Sequence, residues 1–297
     1  MHRRTFVRSL GAALAAPGAL HASSNALGNA FATRPGATAR PARRVARVGI
    51  QLYTLRDAAR QDLERTLASI AAAGYKDVEL LGSMQNFGTA PARLRQVLDR
   101  LGLRAPSTHV SAGALDDLPR QLDEARVLGH EYLIVAGLPA VQRRTADDFR
   151  RWADRFNAAG ERARAAGVWV GFHNHADDFS ARDAAGRPGY DLFVEATDPR
   201  LVRHQLDTGN LAMAGLEPLD YVRRYGDRYW SFHVKDVPRL RADRDAELGA
   251  GVVDFKRLLA AVPRLGEKHL FVEQEQYPGA PIESVRRNYA YLSKLEF

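Results

Sequence analysis

From Val48 onward, short runs rich in Val, Ile, Leu and aromatic residues alternate with longer segments in which Leu, Ile, Val and Phe recur every third or fourth position. A continuous apolar run suits a strand covered on both faces, and a period near 3.6 suits a helix with one apolar stripe. The pattern predicts strands over residues 48–53, 77–81, 104–110, 132–136, 168–173, 202–207, 229–234 and 269–273. It predicts helices over 62–73, 91–101, 115–128, 146–166, 218–225, 254–262 and 282–292. Gly74, Gly102, Gly129 and Gly167 each stand between a helical run and the following strand, where a left-handed residue ends a helix. Alternating strands and helices imply a parallel sheet, and eight such units imply closure into a (β/α)8 TIM barrel, an α/β fold of one catalytic domain over residues 48–297. An open doubly wound sheet would alternate in the same way, but no Gly-x-Gly-x-x-Gly or Walker loop follows the first strand.

Charge changes the picture only at the front of the chain. The 297 residues carry a formal net charge of +8, which taken alone would suggest a nucleic-acid or anionic partner. Residues 1–47 hold eight arginines, no lysine and no acid, so the other 250 residues balance 35 basic against 35 acidic side chains. The body is neutral, and neither a nucleic-acid partner nor membrane insertion of the processed protein is expected.

Arg3-Arg4-Thr5-Phe6-Val7-Arg8 resembles a twin-arginine export motif and is followed by a mildly apolar run over 7–20, too short to span a bilayer. Ala30-Phe31-Ala32 offers a cleavage site, with Ala22 as an alternative. The reading is a signal over 1–32, a flexible linker over 33–47, the twin-arginine export machinery as a partner, and a periplasmic or otherwise exported location. An uncleaved basic tail is the plainer alternative. With no cysteine in the chain, a metal would have to be held by oxygen and imidazole nitrogen.

In a βα barrel the active site forms at the C-terminal ends of the strands, so polar residues that end apolar runs carry the information. They are Glu79, His109, the trio His173, Asn174 and His175, Asp207 with Asn210, the group His233, Lys235 and Asp236, and Glu273 with Glu275. Each alone reads most simply as a loop-anchoring hydrogen bonder. Asp207, His233 and Glu273 end three successive strands, however, and barrel geometry brings them to one rim, with His173 from the fifth strand as a fourth member. Such an N/O set suits one divalent Mn, Mg, Co or Zn ion, whereas a buried cluster without a cation is costly.

Six strings now show a resemblance: Gly-Tyr-Lys-Asp-Val-Glu-Leu (74–80), Gly-Phe-His-Asn-His (171–175), Leu-Asp-Thr-Gly-Asn (206–210), His-Val-Lys-Asp (233–236), Leu-Gly-Ala-Gly-Val-Val-Asp-Phe (248–255) and Phe-Val-Glu-Gln-Glu (271–275). From about Val48 to Glu296 the chain resembles the xylose-isomerase-like TIM-barrel superfamily. Within it the chain is similar to the sugar phosphate isomerase/epimerase group, which includes inosose dehydratases, hydroxypyruvate isomerases and ketose 3-epimerases. The resemblance implies one divalent ion held by a Glu, Asp, His, Glu quartet, carried here onto Asp207, His233 and Glu273, with His173 in place of the first glutamate. In the epimerases the two ligand glutamates also form the acid/base pair, so His173 departs from that pattern. Asn210 replaces the histidine of a frequent Asp-Thr-Gly-His string, which counts against the multi-zinc site of related endonucleases, although His109 matches one of their ligands.

The function expected is a metal-dependent isomerase or epimerase acting through an enediolate on a small keto sugar or keto-cyclitol in carbohydrate metabolism. Glu273, His175 and Lys235 are the candidate catalytic groups, and Glu79, His109 and Asn210 are the candidate substrate contacts. A dehydratase or other lyase on a keto sugar or glycoside is the alternative. Further rivals are a non-catalytic periplasmic sugar-binding barrel and a multi-zinc phosphodiester hydrolase. Oligomeric assembly is left open.

Overall fold

The computed structural model describes residues 43–297. The signal over 1–32 and most of the linker lie outside the described residues. Eight parallel strands run as β1 (Gly49–Gln51), β2 (Asp77–Leu81), β3 (Arg104–Val110), β4 (Tyr132–Val135), β5 (Trp169–Phe172), β6 (His204–Asp207), β7 (Tyr229–Val234) and β8 (His269–Val272). Their order is β5-β4-β3-β2-β1-β8-β7-β6. The two end strands meet through isolated parallel bridges, Val170 to Val202 and His173 to Gln205, giving a nearly closed single-domain (β/α)8 barrel.

The helices are α1 (Arg56–Gln61), α2 (Leu63–Ala72), α3 (Pro91–Leu101), α4 (Leu118–Leu128), α5 (Ala146–Ala165), α6 (Gly189–Ala196), α7 (Thr208–Met213), α8 (Pro218–Tyr225), α9 (Phe255–Ala261) and α10 (Pro281–Lys294). Their ends carry the chemistry that helix termini require. Asp62 and Asp254 cap α2 and α9, Thr145 and Asp148 form a capping box on α5, and proline opens α3, α8 and α10. Gly102 and Gly129 end α3 and α4 in the left-handed region.

Three sequence expectations need correction. The first strand stops at Gln51 and continues as a 3-10 turn over Leu52–Leu55, because the Gln51 side chain accepts the Tyr53 N–H and turns the chain. Helix α6 was not anticipated: with eight residues, four of them the buried Tyr190, Leu192, Phe193 and Val194, it is too short to repeat a helical period. It packs on α5 and β5 through Phe156, Phe172 and Phe193, whose ring centroids lie 5.0 to 6.0 Å apart in near-perpendicular arrangements. Finally, residues 43–47, read as the end of a linker, are held against the barrel. Arg43 and Phe297 exchange backbone hydrogen bonds of 2.9 and 3.1 Å, Arg44 pairs with Glu296, and Arg47 lies 3.4 Å from Asp77.

The seam between β5 and β6 depends on Gly171. A Cβ there would collide with the Arg203 carbonyl oxygen and lie 2.6 Å from Ile134 Cδ1. Above it, where the ladder runs out, the Asn174 side chain takes over the pairing: Asp207 N–H donates to Asn174 Oδ1 at 2.8 Å, and Asn174 Nδ2 donates to the Asp207 carbonyl at 3.2 Å. Gly171→Ala is expected to destabilise the barrel by about 3 kcal/mol, at the upper end of the usual overpacking cost because backbone must move. Urea unfolding checks this, and an unchanged midpoint would contradict the seam's dependence on that glycine.

Candidate metal centre and active site

Period-two alternation sends Gln51, Glu79, Ser107, His109, Gln205, Ser231 and His233 inward from β1, β2, β3, β6 and β7, and all are buried. They form a polar layer across the barrel where branched aliphatic residues are usual. Glu79 is its centre. Oε1 accepts from Ser107 Oγ and from Gln205 Nε2 at 2.9 Å, and Oε2 accepts from Gln51 Nε2 at 2.8 Å and His233 Nε2 at 2.5 Å, with His109 Nε2 at 3.2 Å. Burial alone would raise its pKa, but the His109 and His233 imidazoles outweigh it and hold the carboxyl down at about 2. The expectation that Glu79 contacts substrate is therefore corrected: it is fully buried, and its oxygens are spent on the protein.

Over this layer four acceptors converge. One ligand atom each of His173, Asp207, His233 and Glu273 lies within 4.8 Å of all the others, and all four residues are buried. Asp207 caps α7: its Oδ1 accepts the Asn210 N–H at 2.6 Å, while Oδ2 is buried with no hydrogen-bond partner. That orphan lies 4.0 Å from His173 Nε2 and 3.7 Å from His233 Nδ1, and His233 Nδ1 is 3.0 Å from Glu273 Oε2. An unpartnered buried carboxylate oxygen costs on the order of 1–3 kcal/mol or more unless something answers it. Two imidazole nitrogens and two carboxylates facing one another are the donors that a divalent ion takes.

Charges in the protein alone reflect the crowding. Burial raises Asp207 to about 6 against the pull of Lys235 and His233. Burial alone would depress His233, but the Glu273 and Glu79 carboxylates lift it well above the usual imidazole range. His173 is driven well below that range by burial and by its neighbours His233, His175 and His109, so it stands as a neutral imidazole, the form that ligates.

The Asp-Thr-Gly string is explained atom by atom. Asp207 supplies the cap and the orphan oxygen. Thr208 Oγ1 donates to the Lys235 carbonyl at 2.7 Å and accepts the Lys235 N–H at 3.1 Å, tying α7 to the end of β7. A Cβ at Gly209 would lie 2.5 Å from Lys235 Cγ, so only glycine leaves room for the lysine stem. Lys235 is buried, with Nζ 2.5 Å from Glu275 Oε1, 3.5 Å from Glu273 Oε2 and 3.7 Å from Asp245 Oδ1. Burial would lower its pKa, but those carboxylates and Asp207 raise it, keeping it a cation.

Asp236, next to Lys235 in the chain, anchors a loop. Its carboxylate accepts the backbone N–H groups of Val237, Gly249, Gly251 and Val253 at 2.9 to 3.1 Å, folding the loop after β7.

The remaining candidates separate. His109 is buried in the layer, stacked on His233 with ring centroids 5.1 Å apart. Asn210 Nδ2 donates to the Asn174 carbonyl at 3.0 Å and is 3.5 Å from His173 Nε2. His175 is exposed beside the cluster, its ring 4.8 Å from that of His173, and Asp178 fixes its backbone N–H at 2.7 Å. Gln51, Ser107, Gln205, Ser231 and Asp245 were missed by sequence reasoning. The first four are small neutral polar residues inside strands. Their signal was an inward-facing polar position in an otherwise apolar run, two residues before a candidate ligand in the cases of Gln205 and Ser231.

A family model described as "Xylose isomerase-like TIM barrel" matches residues 67–295. The chain belongs to that family. It is 26% identical over 270 residues to an inosose dehydratase of Lacticaseibacillus casei, an alignment that covers 77% of this chain and 88% of the relative. Among solved structures, a sugar phosphate isomerase/epimerase from Parabacteroides distasonis superposes with a TM-score of 0.71 at 24% identity, covering 84% of this chain and 96% of the other. A structure of the IolI protein with a bound zinc atom superposes with a TM-score of 0.64 at 13% identity, covering 82% and 95%. These two structural likenesses bear on the fold alone.

Proposed function

We propose that this protein is a divalent-metal enzyme that enolises a keto sugar or keto-cyclitol and eliminates water from it. The observation that carries the reading is the orphan Asp207 Oδ2 facing His173, His233 and Glu273 at the C-terminal mouth of the barrel. The dehydratase relative, aligned over most of both chains, supports elimination over epimerisation. So does the exchange of a family glutamate for His173, which removes one of the two carboxylates that epimerisation needs.

His173, Asp207, His233 and Glu273 would hold the ion, which when bound supplies Lewis-acid polarisation of a carbonyl. Glu273 Oε2 lies inside the cluster, 3.0 Å from His233 Nδ1 and 3.5 Å from Lys235 Nζ, so its role in this reading is that of a ligand and not the base. His175, exposed beside His173, is the group to which this reading gives the proton from the carbon next to the carbonyl. The C–H electron pair passes into the enolate. The C–O bond of the β-hydroxyl then breaks, and the oxygen leaves as water with a proton from Lys235, which Glu275 and Glu273 hold in place. The Glu79 layer below keeps the floor of the site shut.

The test uses metal-replete protein with a keto-inositol and a panel of keto sugars in D2O, followed by NMR. The account expects an unsaturated or dicarbonyl product, lost by about 100-fold or more in His175→Ala. Deuterium returned to an isomeric or epimeric sugar without loss of water would favour isomerisation, and neither deuterium uptake nor product across the panel would end the enolisation reading.

We also propose, from the Arg3-Arg4 leader, that the protein is exported through the twin-arginine route. A reporter fused after residue 47 should leave the cytoplasm and should stay there when Arg3 and Arg4 are both changed to lysine. Equal export of both fusions would contradict the route.

A further inference from the structure

We infer that Gln205 is the positioning residue that makes His173 a ligand through Nε2 and keeps His109 out of the ligand set. This rests on the single-metal reading above. Gln205 is fully buried on β6, two residues before Asp207. One end of its amide lies 2.9 Å from Glu79 Oε1 and 3.2 Å from Ser231 Oγ. An ionised carboxylate can only accept, so that end is the NH2 group. The other end is therefore the carbonyl oxygen, and it faces two imidazoles at once, His109 Nε2 at 2.9 Å and His173 Nδ1 at 3.0 Å.

A carbonyl oxygen also only accepts, so both of those nitrogens must carry hydrogen. In neutral His173 this leaves the lone pair on Nε2, the atom that stands 4.0 Å from the orphan Asp207 Oδ2. In His109 it places the hydrogen on Nε2, between Gln205 and Glu79, so that nitrogen cannot bind a metal. A second group of convergent donors, His109 with His173 and His233, is thereby ruled out as an independent ion site. Glu79 performs the matching task for His233: it accepts from Nε2 and leaves Nδ1 on the side of Asp207 and Glu273. A reversed Gln205 amide would turn its carbonyl oxygen toward the Glu79 carboxylate and its NH2 toward the two imidazoles, an acceptor–acceptor repulsion that the observed orientation avoids. The amide thus passes a fixed polarity from Glu79 to two histidines.

The experiment is 1H–15N correlation NMR of the imidazoles in metal-free protein carrying 15N-histidine, with resonances assigned from His109→Asn and His173→Asn, alongside calorimetric titration with Mn2+. In the wild type, His173 is expected as the Nδ1–H tautomer and His109 as the Nε2–H tautomer. Gln205→Leu should abolish the His173 preference and weaken Mn2+ binding about 10- to 100-fold. Gln205→Glu, with a proton on the oxygen that faces Glu79, still presents an acceptor to both rings and should keep the His173 Nδ1–H signal. The wild-type spectrum decides the matter even if Gln205→Leu does not fold: His173 protonated on Nε2 would overturn the inference. Unchanged tautomers and Mn2+ affinity in a folded Gln205→Leu would overturn it as well. A wild-type protein with the expected tautomers but no Mn2+ binding would instead overturn the single-metal reading on which it rests.

Discussion

Everything in this barrel is arranged around one fully buried carboxylate. Glu79 sits where barrels usually pack branched aliphatic side chains, and a buried charge is tolerated only when it is paired and hydrogen-bonded. Residues from β1, β3, β6 and β7 reach it, so the strands are joined across the barrel axis as well as along their ladders. Removing one partner from such a network leaves an unanswered charge, and that penalty holds the whole layer to a single arrangement. The layer then does for the site what a rigid floor does for a tool: His233 and, through Gln205, His173 and His109 are turned before any ligand arrives.

Rigidity below permits an unsatisfied arrangement above. Asp207 Oδ2 has no partner, two imidazole nitrogens and a second carboxylate face it, and Asn174 and Asn210 fix its backbone and its other oxygen. The residues that shape the mouth are held just as firmly. Thr208 joins α7 to β7, the missing side chain of Gly209 admits Lys235, and Asp236 gathers four backbone N–H groups of the loop that follows. The Lys235 ammonium is left among Glu273, Glu275 and Asp245, where it remains charged and can donate.

Much of this was legible in the sequence, for reasons that can be named. Parallel strands buried on both faces read as apolar runs, and amphipathic helices with standard caps read as such, so a helix was visible after seven of the eight strands. Helix α6 was hidden because eight residues, with Tyr190, Leu192, Phe193 and Val194 among them buried, are too few to repeat a helical period. The convergence of the four acceptors was legible because charged residues at strand ends are rare, and topology alone brings Asp207, His233 and Glu273 to one rim. Depth was not legible: Glu79 carries the same strand-end signature as Glu273, and only the three-dimensional packing places one in the floor and the other beside Lys235. Gln205, Ser107 and Ser231 escaped because neutral polar residues inside strands announce hydrogen bonds without saying to what. Asp236 is the loop anchor that a lone strand-end carboxylate most simply reads as, but its partners, backbone N–H groups up to 17 residues away, could not be named from the sequence.

The central claim is that the four convergent acceptors are built for a single divalent ion. Elemental analysis of purified, metal-replete protein tests it most directly, with Asp207→Ala and His233→Ala prepared in parallel. The account predicts about one divalent ion per chain, bound in the wild type and lost in both variants. Two or three zinc ions per chain, or no metal in the wild type after loading, would contradict it.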